Sequence, residues 1–106
     1  MLVVDVLCDT CGVYCERIAV VGRVQRVGYR AYVQSLAERL GISGMVWNYP
    51  TAGVGIIACH ENAGVLFGDF MHGLFGGPGE VWTLICFSAE MAPGSGFQVL
   101  LTAPEQ

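Results

Sequence analysis

Apolar residues crowd into short blocks separated by glycine-bearing breaks, and their period changes from block to block. Ile18, Ala19, Val20 and Val21 follow Glu16 as a compact run and predict a well-buried strand. From Tyr29 to Leu40 the apolar positions are Tyr29, Val33, Leu36, Ala37 and Leu40, spaced by four, three, one and three. That spacing is one face of a helix, with Gln34, Glu38 and Arg39 on its outer side and Gly41 as its stop. Residues 45–48 and 54–59 read as two strands joined through Pro50 and Gly53, a β-hairpin with a loop of several residues. Asn62 is a candidate N-cap for a second helix, whose face is approximated by Val65, Leu66, Asp69, Phe70 and Leu74. Gly73, Gly76, Gly77, Pro78 and Gly79 end it, residues 81–88 read as a fourth strand, and residues 97–101 leave room for a short last one.

Strand, helix, strand, strand, helix, strand is the order of the α+β ferredoxin-like split βαβ sandwich (βαββαβ). The expected architecture is an antiparallel sheet with two helices on one face. Residues 1–14 read as an N-terminal extension and residues 15–103 as one domain. At 106 residues, with 54 % apolar and only 13 % charged side chains, the chain has the makings of one core and not of a disordered segment.

Charge narrows the partners. The formal net charge is −4, which argues against nucleic acid and against an anionic membrane surface. All five cations are arginines, Arg17, Arg23, Arg26, Arg30 and Arg39, and none lies beyond residue 39. An acidic chain that gathers its positive charge in one place suits a small anion. No apolar run approaches the roughly 18 residues of a membrane span. The apolar start, broken by Asp5 and lacking a basic region, does not read as a signal peptide, so a cytoplasmic location is expected, and separately a monomer.

The five cysteines offer no complete metal motif. Cys8, Cys11 and Cys15 form C-x2-C-x3-C, three ligands where a structural zinc site takes four. They read first as redox-sensitive or adventitious thiols, and Cys59 and Cys86 as small buried hydrophobes, with no disulfide framework in a reducing compartment. His60 and His72 stand singly and read as structural or exposed. No metal or cofactor is expected.

The stretch from Gly22 to Arg30 holds the candidate chemistry. A strand that turns sharply into a helix leaves backbone N–H groups pointing the same way, a concave anion site. Arg30, in the first turn of that helix, can clamp the anion with its fork of donors. Arg23 reads either as a loop anchor or as a further attraction for anions. Asn48, at a strand end before a turn, reads by itself as a turn residue.

Gly-Arg-Val-Gln-x-Val-Gly-Tyr-Arg at 22–30 is followed by Ala37, Leu40, Gly41-Ile42, Gly44, Val46 and Asn48. This resembles the signature of acylphosphatases, GRVQGVGFR and then LGL-x-GWV-x-N. Gly77-Pro78 and Phe97-x-Val99 also sit where that family has GP and F-x-I. The resemblance spans roughly residues 16–101 and implies metal-free, cofactor-free hydrolysis of small acylphosphates to carboxylate and inorganic phosphate. It implies that Gln25, Arg26, Val27, Gly28, Tyr29 and Arg30 form the phosphate-binding loop, with Arg30 holding the phosphoryl oxygens. Asn48 matches the asparagine that orients the attacking water.

Arg26 stands where the family usually has glycine. A left-handed backbone there would cost arginine on the order of 1–2 kcal/mol. An ordinary backbone would leave it only as added positive potential, and tolerance is expected because Gly28 keeps the second glycine. Similar domains begin large carbamoyltransferases of hydrogenase maturation, a setting not expected without a downstream domain. The rival from another class is a non-catalytic ferredoxin-like module that binds an anion or a protein partner.

Overall fold

In the computed structural model, the structure describes residues 13–89 and 96–101. Five strands, β1 (Tyr14–Arg23), β2 (Ser43–Asn48), β3 (Val54–His60), β4 (Glu80–Ser88) and β5 (Phe97–Val99), form one sheet in the order β4-β1-β3-β2-β5. β1 lies between β3 and β4 and runs antiparallel to both, and β2 is antiparallel to β3. The sheet is mixed and not wholly antiparallel, because β5 pairs with β2 in parallel, Gly44 opposite Phe97 and Val46 opposite Val99.

Helix α1 (Tyr29–Leu40) buries Tyr29, Val33, Leu36 and Ala37, the face that its apolar spacing predicts. It stops at Gly41, which takes the left-handed conformation (φ 73) and turns its N–H back to the carbonyls of Ala37 and Glu38. The second helix, α2, begins as wide π turns over Gly64–Phe70, tightens to α over Met71–Gly73 and ends as a 3-10 turn over Leu74–Gly76. The Asn62 side-chain oxygen accepts from the N–H groups of Gly64 and Val65 (2.8 and 3.2 Å), so the expected cap forms. Asp69 departs from the expected face and is exposed, while Leu66, Phe70 and Leu74 are buried.

Both helices cover one face of the sheet, where Ile18, Val20, Val46, Val54 and Ile56 meet Val33, Leu66 and Phe70. Two phenols fasten the helices together: Tyr29 donates to the Leu74 carbonyl (2.8 Å) and Tyr32 to that of Gly73 (2.6 Å). Burial, and then the neighbouring Tyr32, push the Tyr29 phenol well above its ordinary range, so it stays a donor.

The other face carries a smaller apolar cluster centred on Trp47, Ile57 and Cys59. The Trp47 indole lies flat enough on β3 that a Cβ at Gly55 would fall 2.4 Å from its ring, and the Arg17 guanidinium sits 5.2 Å from the ring centre. Here the cysteine expectation fails. Cys15 and Cys59 face one another across β1 and β3 and are joined as a disulfide, with their Cα atoms 4.1 Å apart. Cys59 is indeed buried, but its sulfur is bonded and not free. Cys86 is exposed, because β4 is an edge strand that neither helix covers fully. Cys8 and Cys11 lie outside the described residues.

Candidate active site

β1 ends at Arg23 and α1 begins at Tyr29, so residues 24–28 must reverse the chain within one short loop. Two left-handed positions, separated by Val27, do this: Arg26 at φ 65 and Gly28 at φ 84. Glycine adopts this region freely, whereas for an arginine it costs on the order of 1–2 kcal/mol. Of the two readings of Arg26 the strained one therefore holds. Replacing it with glycine should stabilise the fold by about 1 kcal/mol, after subtracting the ~0.5–1 kcal/mol of backbone entropy that glycine loses on folding. Thermal melts should then show Tm about 5 °C higher.

Gly28 also starts the helix. Its carbonyl accepts from Tyr32 N–H (3.1 Å), and no side chain caps the first turn. The N–H groups of that turn are thus open to an anion, at the positive end of the helix dipole.

The start of α1 borders a cavity of about 230 Å³ lined by Val24, Arg26, Gly28, Tyr29, Arg30, Ala31, Asn48 and Val99. Arg30 and Asn48 are 18 positions apart in sequence, yet the fold brings both to this one hollow. Arg30 is half-buried and held in place by a bond from its Nη1 to the Leu100 carbonyl (2.8 Å), just past β5. The Asn48 side-chain oxygen is buried and has no hydrogen-bond partner among the described residues. A buried amide oxygen left unpaired at a cavity wall is an acceptor waiting for a small donor.

Gln25 and Val27 face elsewhere. They line a larger, apolar hollow of about 540 Å³ on the other side of the loop, with Tyr49, Ala52 and Trp82. The Gln25 amide donates to the carbonyls of Tyr49 (2.9 Å) and Gly53 (2.7 Å), tying the loop to the tip of the β2–β3 hairpin. The side chain of Tyr29 belongs to the core. At the cavity these residues can offer only backbone.

No sequence signal pointed to Leu100, because its contribution is a carbonyl that every residue carries. Val99, in the late strand and in the F-x-I match, carries no chemistry that would mark it as a cavity residue. Among the described residues no group of three metal-ligating side chains occurs, and no helix is long and apolar enough to cross a membrane. His60 accepts from Asn62 N–H (2.9 Å) and serves the turn after β3, and His72 is exposed.

Comparison with known proteins bears on the family and the fold. The acylphosphatase family model matches residues 16–78. An acylphosphatase of Methanothrix thermoacetophila is 50 % identical over 40 residues, 38 % of this chain and 44 % of that protein. One from Chromohalobacter salexigens is 32 % identical over 87 residues, covering 80 % of this chain and 94 % of the relative. The crystal structure of acylphosphatase from Bacillus subtilis superposes with a TM-score of 0.74 at 28 % identity, over 82 % of this chain and 98 % of that one. Over the Methanothrix protein and several other curated relatives the matched stretch spans only about half of the relative's length. With a family model over more than half of its residues and a relative matched nearly end to end, the chain belongs to the acylphosphatase family.

Proposed function

We propose that the protein hydrolyses the carboxyl–phosphate bond of small acylphosphates by direct attack of water, releasing a carboxylate and inorganic phosphate. The observation that carries this reading is the meeting of Arg30 and the unpaired Asn48 oxygen in one cavity at the open start of α1. In this proposal the amides of residues 28–31 and the Arg30 guanidinium take the phosphoryl oxygens. Their donors are fixed before substrate arrives, so little reorganisation accompanies the build-up of charge on the equatorial oxygens. The Asn48 oxygen accepts from a water and aims its lone pair at phosphorus, in line with the bond to be broken.

The water oxygen bonds to phosphorus as the P–O bond to the acyl group breaks. The bonding pair leaves with the carboxylate, and the water proton passes to a phosphoryl oxygen or to that carboxylate. A neutral asparagine suits this task because a carboxylate in its place would repel the anionic substrate. The leaving group is already a weak base, so the site needs no strong nucleophile or general acid. All of these groups come from a single chain.

The test is release of phosphate from benzoyl phosphate in the presence of EDTA, with inorganic phosphate as competitor. Turnover and competition are expected from the wild type. Asn48→Ala should lower kcat by about 10²-fold, with KM changed far less, because it loses aim and not binding. Stabilisation by phosphate in a thermal melt without any turnover would instead favour the non-catalytic binding module.

A further inference from the structure

Two arginines, Arg26 and Arg30, line the same cavity, and only one of them is accounted for by the phosphoryl group. Arg30 sits in the first turn of α1, half-buried and fixed to the Leu100 carbonyl. Arg26 lines the same hollow from the exposed apex of the loop, and its side chain makes no hydrogen bond or ion pair among the described residues. No aspartate or glutamate lines the cavity to neutralise either charge. The loop also accommodates Arg26 at a backbone angle that glycine would adopt freely. A strained residue kept at the mouth of a reactive site directs attention to what its side chain does there.

We propose that Arg26 receives the departing carboxylate, acting on the leaving group while Arg30 and the loop amides act on the phosphoryl group. This rests on the acylphosphatase reading and adds to it a residue that the family pattern, with glycine at this position, does not supply. In the ground state the bridging oxygen is part of a mixed anhydride and carries little charge. As the P–O bond breaks, its electron pair passes to that oxygen, and the acyl group becomes a full carboxylate. A guanidinium beside it therefore binds the late, charged species more tightly than the substrate, which is the condition for accelerating the bond cleavage. Its help is worth most for leaving groups that carry the new charge poorly.

The experiment follows a series of ring-substituted benzoyl phosphates, with log(kcat/KM) plotted against the pKa of the benzoic acid released. The wild type should give a shallow slope and Arg26→Gly a steeper one. The variant should lose about tenfold on the most basic leaving group and much less on the least basic. Arg26→Lys, which keeps a cation at the same backbone angle, should lie between the two. Inhibition by inorganic phosphate, which has no acyl group, should change by less than twofold in Arg26→Gly. Parallel lines for wild type and glycine variant would overturn the assignment, since a merely structural role lowers every substrate alike. A marked weakening of phosphate inhibition would also overturn it, by placing Arg26 on the phosphoryl group. A folded wild type that hydrolyses none of the series removes the acylphosphatase reading itself, before any variant is compared.

Discussion

Arg30→Ala is expected to lower kcat/KM for benzoyl phosphate by about 10³-fold while the protein remains folded. The size follows from what is removed. A guanidinium supplies planar, charged donors to a phosphoryl group, and arginines so placed contribute on the order of 10³-fold or more to phosphoryl transfer. The amides at the start of α1 would remain and sustain weak phosphate binding, so turnover should fall further than phosphate affinity. The structural cost is small by comparison. Alanine is a good helix former, and the lost bond to the Leu100 carbonyl is worth about 1 kcal/mol. Arg30→Lys should recover only part of the activity, because a point charge on a flexible stem cannot reproduce the fork and the tether together. Steady-state kinetics with melts of each variant would check this. Activity of Arg30→Ala within tenfold of wild type would remove Arg30 from the proposed mechanism.

Reduction of the Cys15–Cys59 disulfide should be the largest perturbation of stability. The two cysteines are 44 positions apart, so the bond closes most of β1, all of α1 and β2, and β3 into one loop. Loop-closure entropy for that length gives roughly 4 kcal/mol of stabilisation, acting through the unfolded chain. For a domain of this size that is about 15 °C in Tm. Melts of the wild type with and without reductant should separate by that amount. A Cys15→Ala/Cys59→Ala variant should melt near the reduced value in both conditions. Coincident wild-type melts would show that the bond contributes nothing to stability. In a compartment rich in reduced glutathione such a bond tends to open, so the folded chain there would work without this reserve.

The elements were legible wherever one periodicity dominated. Tyr29, Val33, Leu36 and Ala37 announced α1, and the glycine after Leu40 announced its end. The π turns of α2 were not legible, because Leu66, Phe70 and Leu74 are four apart and would line the same face of an ordinary α-helix. The parallel sense of β5 lay beyond the sequence too, since a three-residue strand carries no mark of its direction. The disulfide was missed for a related reason. Cys15 and Cys59 are seen as opposite one another only once the register of β1 against β3 is known. At the site, Arg30 and Asn48 could be named because a side chain has an identity. Leu100 could not, because its role is that of an anonymous carbonyl, and the reach of the Gln25 side-chain amide to the hairpin could not, because it depends on how the hairpin docks.

That amide bridge also decides when the site comes into being. Gln25 reaches partners 24 and 28 positions away, and Arg30 reaches one 70 positions away. Neither bond can form until the hairpin tip and the chain beyond β5 have docked, and closures over such distances come late in folding. The loop proposed to hold the phosphoryl group is complete in sequence by residue 30, but in its ordered form it belongs to the last stage of folding. Recovery of activity on refolding should trail the return of helical signal.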